Sequence, residues 1–143
     1  MASLIFNSYK TALINNDTKI NLEDTDTIKV ALVTSSYTPS AASHDFFDDV
    51  TNEVSGTGYT AGGATLGTKT VTQDNTDDEG VFDAADTTWT TSSITARGAV
   101  LYKSTGTPGT SPLIAYIDFG ANKTSDGGTF QITWATEGIL NIN

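Results

Sequence analysis

The run Asp48-Asp49-Val50-Thr51-Asn52-Glu53-Val54-Ser55-Gly56-Thr57-Gly58-Tyr59-Thr60-Ala61-Gly62-Gly63-Ala64-Thr65-Leu66 constrains this chain more than any other stretch. An acidic, aromatic segment leads into Gly56, Gly58, Gly62 and Gly63, and then into a Thr/Val-rich stretch. Glycine adopts positive φ and lets backbones approach closely, so this spacing reads as consecutive turns. Threonine and valine suit a pleated, half-buried surface, so the chain leaves the turns as a strand. The loop is not a phosphate cradle. Neither G-x-x-x-x-G-K-[ST] nor G-x-G-x-x-G is met, and alanine rather than lysine follows Gly63.

Elsewhere the apolar period is two. Ile28, Val30 and Leu32 share one face of a strand while Lys29 and Ala31 point the other way. Further strand-like stretches fall at 68–73, 80–82, 87–91, 94–103, 113–119, 129–134 and 139–142. Turn-rich pieces at 74–80, 104–111 and 120–128 separate them. This spacing predicts a mainly β chain, a single domain over 1–143 built as an antiparallel sandwich or barrel, jelly-roll-like, with one or two short helices. Phe130, Ile132 and Trp134 are expected on one buried face, with Trp89 and Trp134 as core anchors.

The first helix is expected within an N-terminal arm or helix over 1–15. Ser3 caps it, Ile5, Tyr9, Ala12 and Leu13 share its face, and Asn15-Asn16-Asp17 ends it. The second is expected over 43–50, with Ser43 as cap and Phe46, Phe47 and Val50 as apolar contacts.

Charge narrows the partners. Asp and Glu number 17 against 7 Lys and Arg, a net charge of −10, with no basic stripe to hold phosphate. Nucleic acid is therefore discounted as a direct partner. No apolar run approaches the roughly 20 residues that cross a bilayer, so no membrane span is read. Without cysteine there is no disulfide framework and no thiolate chemistry. The stretch Leu4-Ile5-Phe6 lacks a basic region before it and is too short for a secretory signal, which predicts synthesis in the cytoplasm.

Catalytic patterns are sparse. His44, the sole histidine, lies near Asp45, Asp48 and Asp49, but no G-x-S-x-G elbow and no multi-histidine spacing accompanies it. The first turn of a short helix is its expected place. The loop Asp74-Asn75-Thr76-Asp77-Asp78-Glu79-Gly80 offers hard oxygens, making Asp74, Asp77 and Asp78 candidate ligands for a loosely held divalent ion. It departs from the EF-hand pattern, because Gly80 is one place late and Thr76 holds the third position. A solvated acidic turn is the plainer reading, and no cofactor is expected. Adjacent carboxylates such as Asp48 and Asp49 point apart and make no acid–base pair. A glycosidase would need two carboxylates about 5–10 Å apart in one cleft, which nothing in the spacing indicates. Tyr37, Tyr59, Tyr102 and Trp89 form a candidate sugar platform, which keeps a carbohydrate- or receptor-binding module open.

The pattern DD-V-x-N-E-V-x-G-x-G-Y-x-x-G-G-x-x-L over 48–66 resembles small structural proteins of tailed-bacteriophage virions. The resemblance extends to residues 3–8, 26–39 and 113–120. It implies a non-enzymatic virion component, assembled into the particle after synthesis in the host cytoplasm. Within that class a capsid decoration (cement) protein on the major capsid lattice is expected, with a tail or head–tail component as the alternative. The implied partners are the major capsid protein or other virion proteins, and further copies in a homo-oligomer. Leu4, Ile5 and Phe6, three apolar residues in a row, are then either a docking arm or ordinary packing against the core.

Overall fold

The alternation in residues 28–33 becomes a strand with a core on each side. Ile28, Val30 and Leu32 enter one hydrophobic cluster and Ala31 and Val33 enter another. A strand so buried lies inside a sheet covered on both faces. The computed structural model describes residues 2–16, 20–23 and 25–143. Its strands are β1 (Leu4–Ile5), β2 (Ile28–Val33), β3 (Ala64–Thr65), β4 (Thr70–Asp74), β5 (Glu79–Asp83), β6 (Thr87–Lys103), β7 (Leu113–Ile132) and β8 (Leu140–Ile142). One helix, α1 (Asn7–Ile14), follows β1. The chain is mainly β, as the sequence predicts, in two antiparallel sheets ordered β1-β7-β6-β2-β3 and β4-β5-β8.

The two sheets share a core. Phe82 of β5 and Leu140 of β8 pack in the same cluster as Ile28, Val30, Leu32, Leu101 and Ile114 of the larger sheet. This is a sandwich with unequal layers. Among the described residues, no second sheet covers the other face of the large one. There Phe6, Tyr37, Val100, Tyr102, Leu113 and Tyr116 cluster beneath the irregular segment after β2. Phe47 stacks on Tyr102 with ring centroids 4.0 Å apart and planes 12° apart.

β6 and β7 run on beyond their neighbours as a two-stranded ribbon. β2 pairs only with residues 98–103 of β6, and β1 only with residues 115–116 of β7. Two separate stretches, 87–91 and 94–103, are thus one strand, and the expected turn at 120–128 lies inside β7. The ladder is irregular where the sequence reads as turn, and hydroxyl side chains join it there. Ser92 Oγ lies 2.7 Å from Ser125 Oγ and donates to the Gly128 carbonyl at 3.1 Å, while Ser125 Oγ accepts from the Ile94 amide at 3.2 Å. The Gly127 amide donates to Ser93 Oγ at 3.1 Å, with Gly127 at φ +66°.

The N-terminal and second helices also depart from expectation. Ser3 does not cap a helix; its Oγ accepts the Asp118 amide at 2.9 Å, which fixes β1 beside β7. Phe6 occupies the cap position of α1 without a side-chain cap, and Asp17, expected to end the helix, lies outside the described residues. Tyr9 is buried, but Leu13 is exposed. Over 43–50 only Phe47–Asp49 forms a single 3-10 turn. Strand-like bonds prevent a helix before it: the Phe47 amide donates to the Ser111 carbonyl at 2.9 Å and the Leu113 amide to the Asp45 carbonyl at 2.9 Å.

Phe130 and Ile132 are buried together as predicted, and Trp134, past the end of β7 and half-buried, packs against the same cluster. Its indole N–H donates to the Ala85 carbonyl at 3.1 Å. Phe130→Ala should therefore cost about 3–5 kcal/mol through the cavity it leaves. Trp134→Ala should cost less. Urea unfolding of both variants checks the order.

Candidate functional site

The block that dominates the sequence folds along the free edge of β2. The Thr34 amide donates to the Asn52 carbonyl at 3.0 Å and the Val54 amide to the Leu32 carbonyl at 2.9 Å. Farther along, β3 pairs with Lys29 and Val30. Between these contacts the chain loops out over residues 55–63, and the Leu32 amide has no strand partner. A buried amide must be satisfied. The Tyr59 hydroxyl accepts it at 2.9 Å and donates to Glu53 Oε1 at 2.6 Å. The same carboxylate oxygen accepts the Gly62 amide at 2.6 Å, and Tyr102 donates to the Gly62 carbonyl at 2.7 Å.

Burial and then the bond to Glu53 push the Tyr59 hydroxyl far above its ordinary pKa. Burial, with Glu53 nearby, pushes Tyr102 up to about 12. Both phenols are thus neutral donors, as this network requires. Gly63 sits at φ +76°, and a Cβ there would collide with the Val30 carbonyl. No larger residue fits so close to β2.

Of the sugar-platform residues, three are in the interior and the fourth is partly covered. Tyr37 is 4% exposed, Tyr102 3% and Trp89 6%, and Tyr59 is half-buried with its hydroxyl engaged. Trp89 packs edge-on against Phe130 at 5.9 Å. The docking-arm residues are also built into the domain. Leu4 and Ile5 pair with Tyr116 and Ala115, and Phe6 is fully buried. Burial of Phe6 inside the second core favours the packing alternative over a free arm.

His44 lies outside any helix, with Nδ1 3.0 Å from the Tyr37 hydroxyl and 3.4 Å from the Ser40 amide. Asp49 is bonded to backbone amides. Its Oδ2 accepts the Asp45 and Phe46 amides at 2.8 and 3.2 Å, and these bonds hold its carboxyl below the ordinary range. In the acidic turn, Asp74 and Asp77 come together with Glu79, their nearest oxygens within 4.8 Å of one another. Asp78, the third residue expected there, is not in that group and adopts φ +56°. Asp74 Oδ1 accepts the Thr76 amide at 2.7 Å, and Glu79 Oε1 accepts Asn141 Nδ2 at 2.7 Å.

One cleft of about 380 Å³ lies between α1 and the segment before β7, lined by Tyr9, Ala12, Ile20, Phe46, Pro112 and Leu113. It is mainly apolar. At its rim Lys103 is paired with Asp26 at 3.1 Å. Sequence reasoning missed Glu53 as an anchor and missed the ion pair of Arg97 with Asp118, whose Nε–Oδ1 distance is 2.7 Å. Arg97 is the sole arginine and sits in a strand, the one signal available. The chain matches no protein-family model, and no curated protein or solved structure is significantly similar to it.

Two outcomes follow from these networks. Glu53→Gln keeps the shape but removes the charge that two donors share. It should destabilise by about 1.5–3 kcal/mol, the range for bonds to charged groups, measurable by denaturant unfolding. The second concerns acid. Arg97 holds the Asp118 carboxyl down at about 2, below its ordinary 3.8. A carboxyl with a depressed folded pKa binds its proton less readily folded than unfolded. Its stabilisation is present above about pH 4 and is lost as pH falls towards 2. Arg97→Gln should flatten that limb of a plot of melting temperature against pH.

Proposed function

We propose that this chain is a non-enzymatic structural protein of a tailed-bacteriophage virion, and that it decorates the head as a cement protein on the major capsid lattice. The observation that carries the reading is the resemblance over residues 3–8, 26–39, 48–66 and 113–120. These segments supply β1, β2, the glycine loop with its Glu53 network, and the start of β7. What is alike is therefore the frame of the large sheet. The geometry supports a role in assembly through its outer surfaces. The ribbon of β6 and β7 exposes Thr88, Thr90, Thr95, Thr124 and Gln131, side chains suited to hydrogen-bonded protein contacts. Of the polar groups singled out in the sequence, Tyr59, His44 and Asp49 are hydrogen-bonded within their own loops, Tyr59 through Glu53.

The proposed partners are the major capsid protein, or another virion protein, and further copies of this chain. A protein that binds only the assembled shell stabilises it by mass action. Gold-labelled antibody on particles of the encoding phage should mark the head shell. Heads stripped of the protein should lose resistance to heat, and adding it back should restore them. Labelling along the tail axis would favour the tail alternative. Heads equally robust with and without the protein would count against the cement role.

A further inference from the structure

We propose that the outer edge of β4 accepts an extended segment of a partner protein as an added strand, one whose side chains alternate between apolar and basic. The inference deepens the assembly reading and rests on it for the partner's place in a particle. The binding chemistry stands on the edge itself.

β4 is the outermost strand of the smaller sheet and, among the described residues, pairs with β5 alone. Its five residues, Thr70-Val71-Thr72-Gln73-Asp74, run in unbroken register opposite Asp83 to Glu79. An open edge is normally blunted by proline, lysine or a bulge. This one has none of the three. Its outward backbone groups are therefore available for another strand.

The two faces of the sheet say what the added strand must carry. Residues directly opposite one another share a face. Val71, Phe82 and Leu140 form one row, and Phe82 and Leu140 reach the core. Val71 is in the same row but is 47% exposed, and Ile142, one row along beyond Gly80, is 52% exposed. The apolar layer thus continues past its cover. An apolar side chain opposite Val71 would extend it.

The opposite face carries Thr70, Thr72 and Asp74 on β4, with Asp83 and Glu79 behind them. Asp77 joins Asp74 and Glu79 in the turn. From residue 70 to 96 the sequence holds six carboxylates (Asp74, Asp77, Asp78, Glu79, Asp83 and Asp86) and no lysine or arginine. Lysine or arginine at alternate positions of the added strand would meet this field. A second copy of the chain fits less well. Antiparallel pairing of β4 with itself about Thr72 would set Asp74 beside the Thr70–Asp83 row of the other copy, like charge against like.

The test uses the full chain and a probe peptide of about six residues, a typical strand length, alternating valine and lysine. Its control has glutamate in place of lysine. The lysine peptide should bind at least about tenfold tighter than the control, a difference of about 1.4 kcal/mol. Binding should weaken with salt, and amide exchange should slow in residues 70–74. Val71→Lys should lose about tenfold in affinity with an unchanged melting temperature, since the side chain is half exposed. No binding, equal binding of the glutamate peptide, or protection confined to other residues would overturn the proposal. So would a dimer in sedimentation with residues 70–74 already protected, because a second copy would then hold the edge. Particle binding separates this inference from the assembly reading. Wild-type binding lost in Val71→Lys supports the edge. Both proteins binding equally overturns the edge and leaves the assembly reading standing. Failure of the wild type to bind any part of the particle overturns the assembly reading, and the peptide result then decides the edge alone.

Discussion

Glu53 accepts the Tyr59 hydroxyl and the Gly62 amide, and Tyr59 in turn accepts the Leu32 amide. That relay replaces a missing strand. β2 is the inner strand on which both cores depend, and among the described residues its second edge is bonded by backbone at 52–54, at β3 and by the Leu66 amide to the Ile28 carbonyl. In the gap, a side-chain hydroxyl stands in for a neighbouring carbonyl, and a carboxylate accepts the hydrogen bond that the hydroxyl donates. An orphaned amide at this depth would cost about 1–3 kcal/mol. The loop that supplies the tyrosine can lie this close because Gly63 has no side chain to meet Val30. Its tip reaches farther still. The Ser93 amide of β6 donates to the Thr57 carbonyl at 2.9 Å, so one loop joins the central strand to the long ribbon.

The β class was legible because its signals are local. The alternation at 28–33 needs only a two-residue period, and the turn at 74–79 carries its own Asx chemistry through Asp74. The continuity of β6 and β7 was not legible. Residues 120–128 hold Gly120, Gly127 and Gly128, which read as a turn until Ser92, Ser93 and Ser125 are brought across from the other strand. The helix expected at 43–50 failed for a similar reason. Its propensity is overridden by backbone bonds to residues 111 and 113, more than 60 positions away. Trp134 packs against the core as read, but only partly buried, because the period of two ends with β7 at Ile132.

Candidate site residues were harder to read than the fold. The aromatic side chains named for a sugar platform are in the interior because they flank β2 and the ribbon, a relation no spacing reveals. Leu4, Ile5 and Phe6 look like an arm when isolated, yet Phe6 fills the second core. The acidic turn was located correctly, but the residue completing its carboxylate group is Glu79 rather than Asp78. In the first two cases long-range pairing decides which side chains remain outside; in the third, the pairing of Asp74 with Glu79 across the β4–β5 hairpin does. What remains outside includes a hydroxyl-rich ribbon and the open, acidic edge of β4.

The large sheet's frame depends on the glycine block being a rigid part of it and not a mobile binding loop. Native-state amide exchange at Leu32 and Gly62 tests this most directly. If Tyr59 and Glu53 hold these amides, both should exchange only through opening of nearly the full unfolding free energy. Exchange of either amide at the rate of an exposed loop, under conditions where Val30 stays protected, would contradict it.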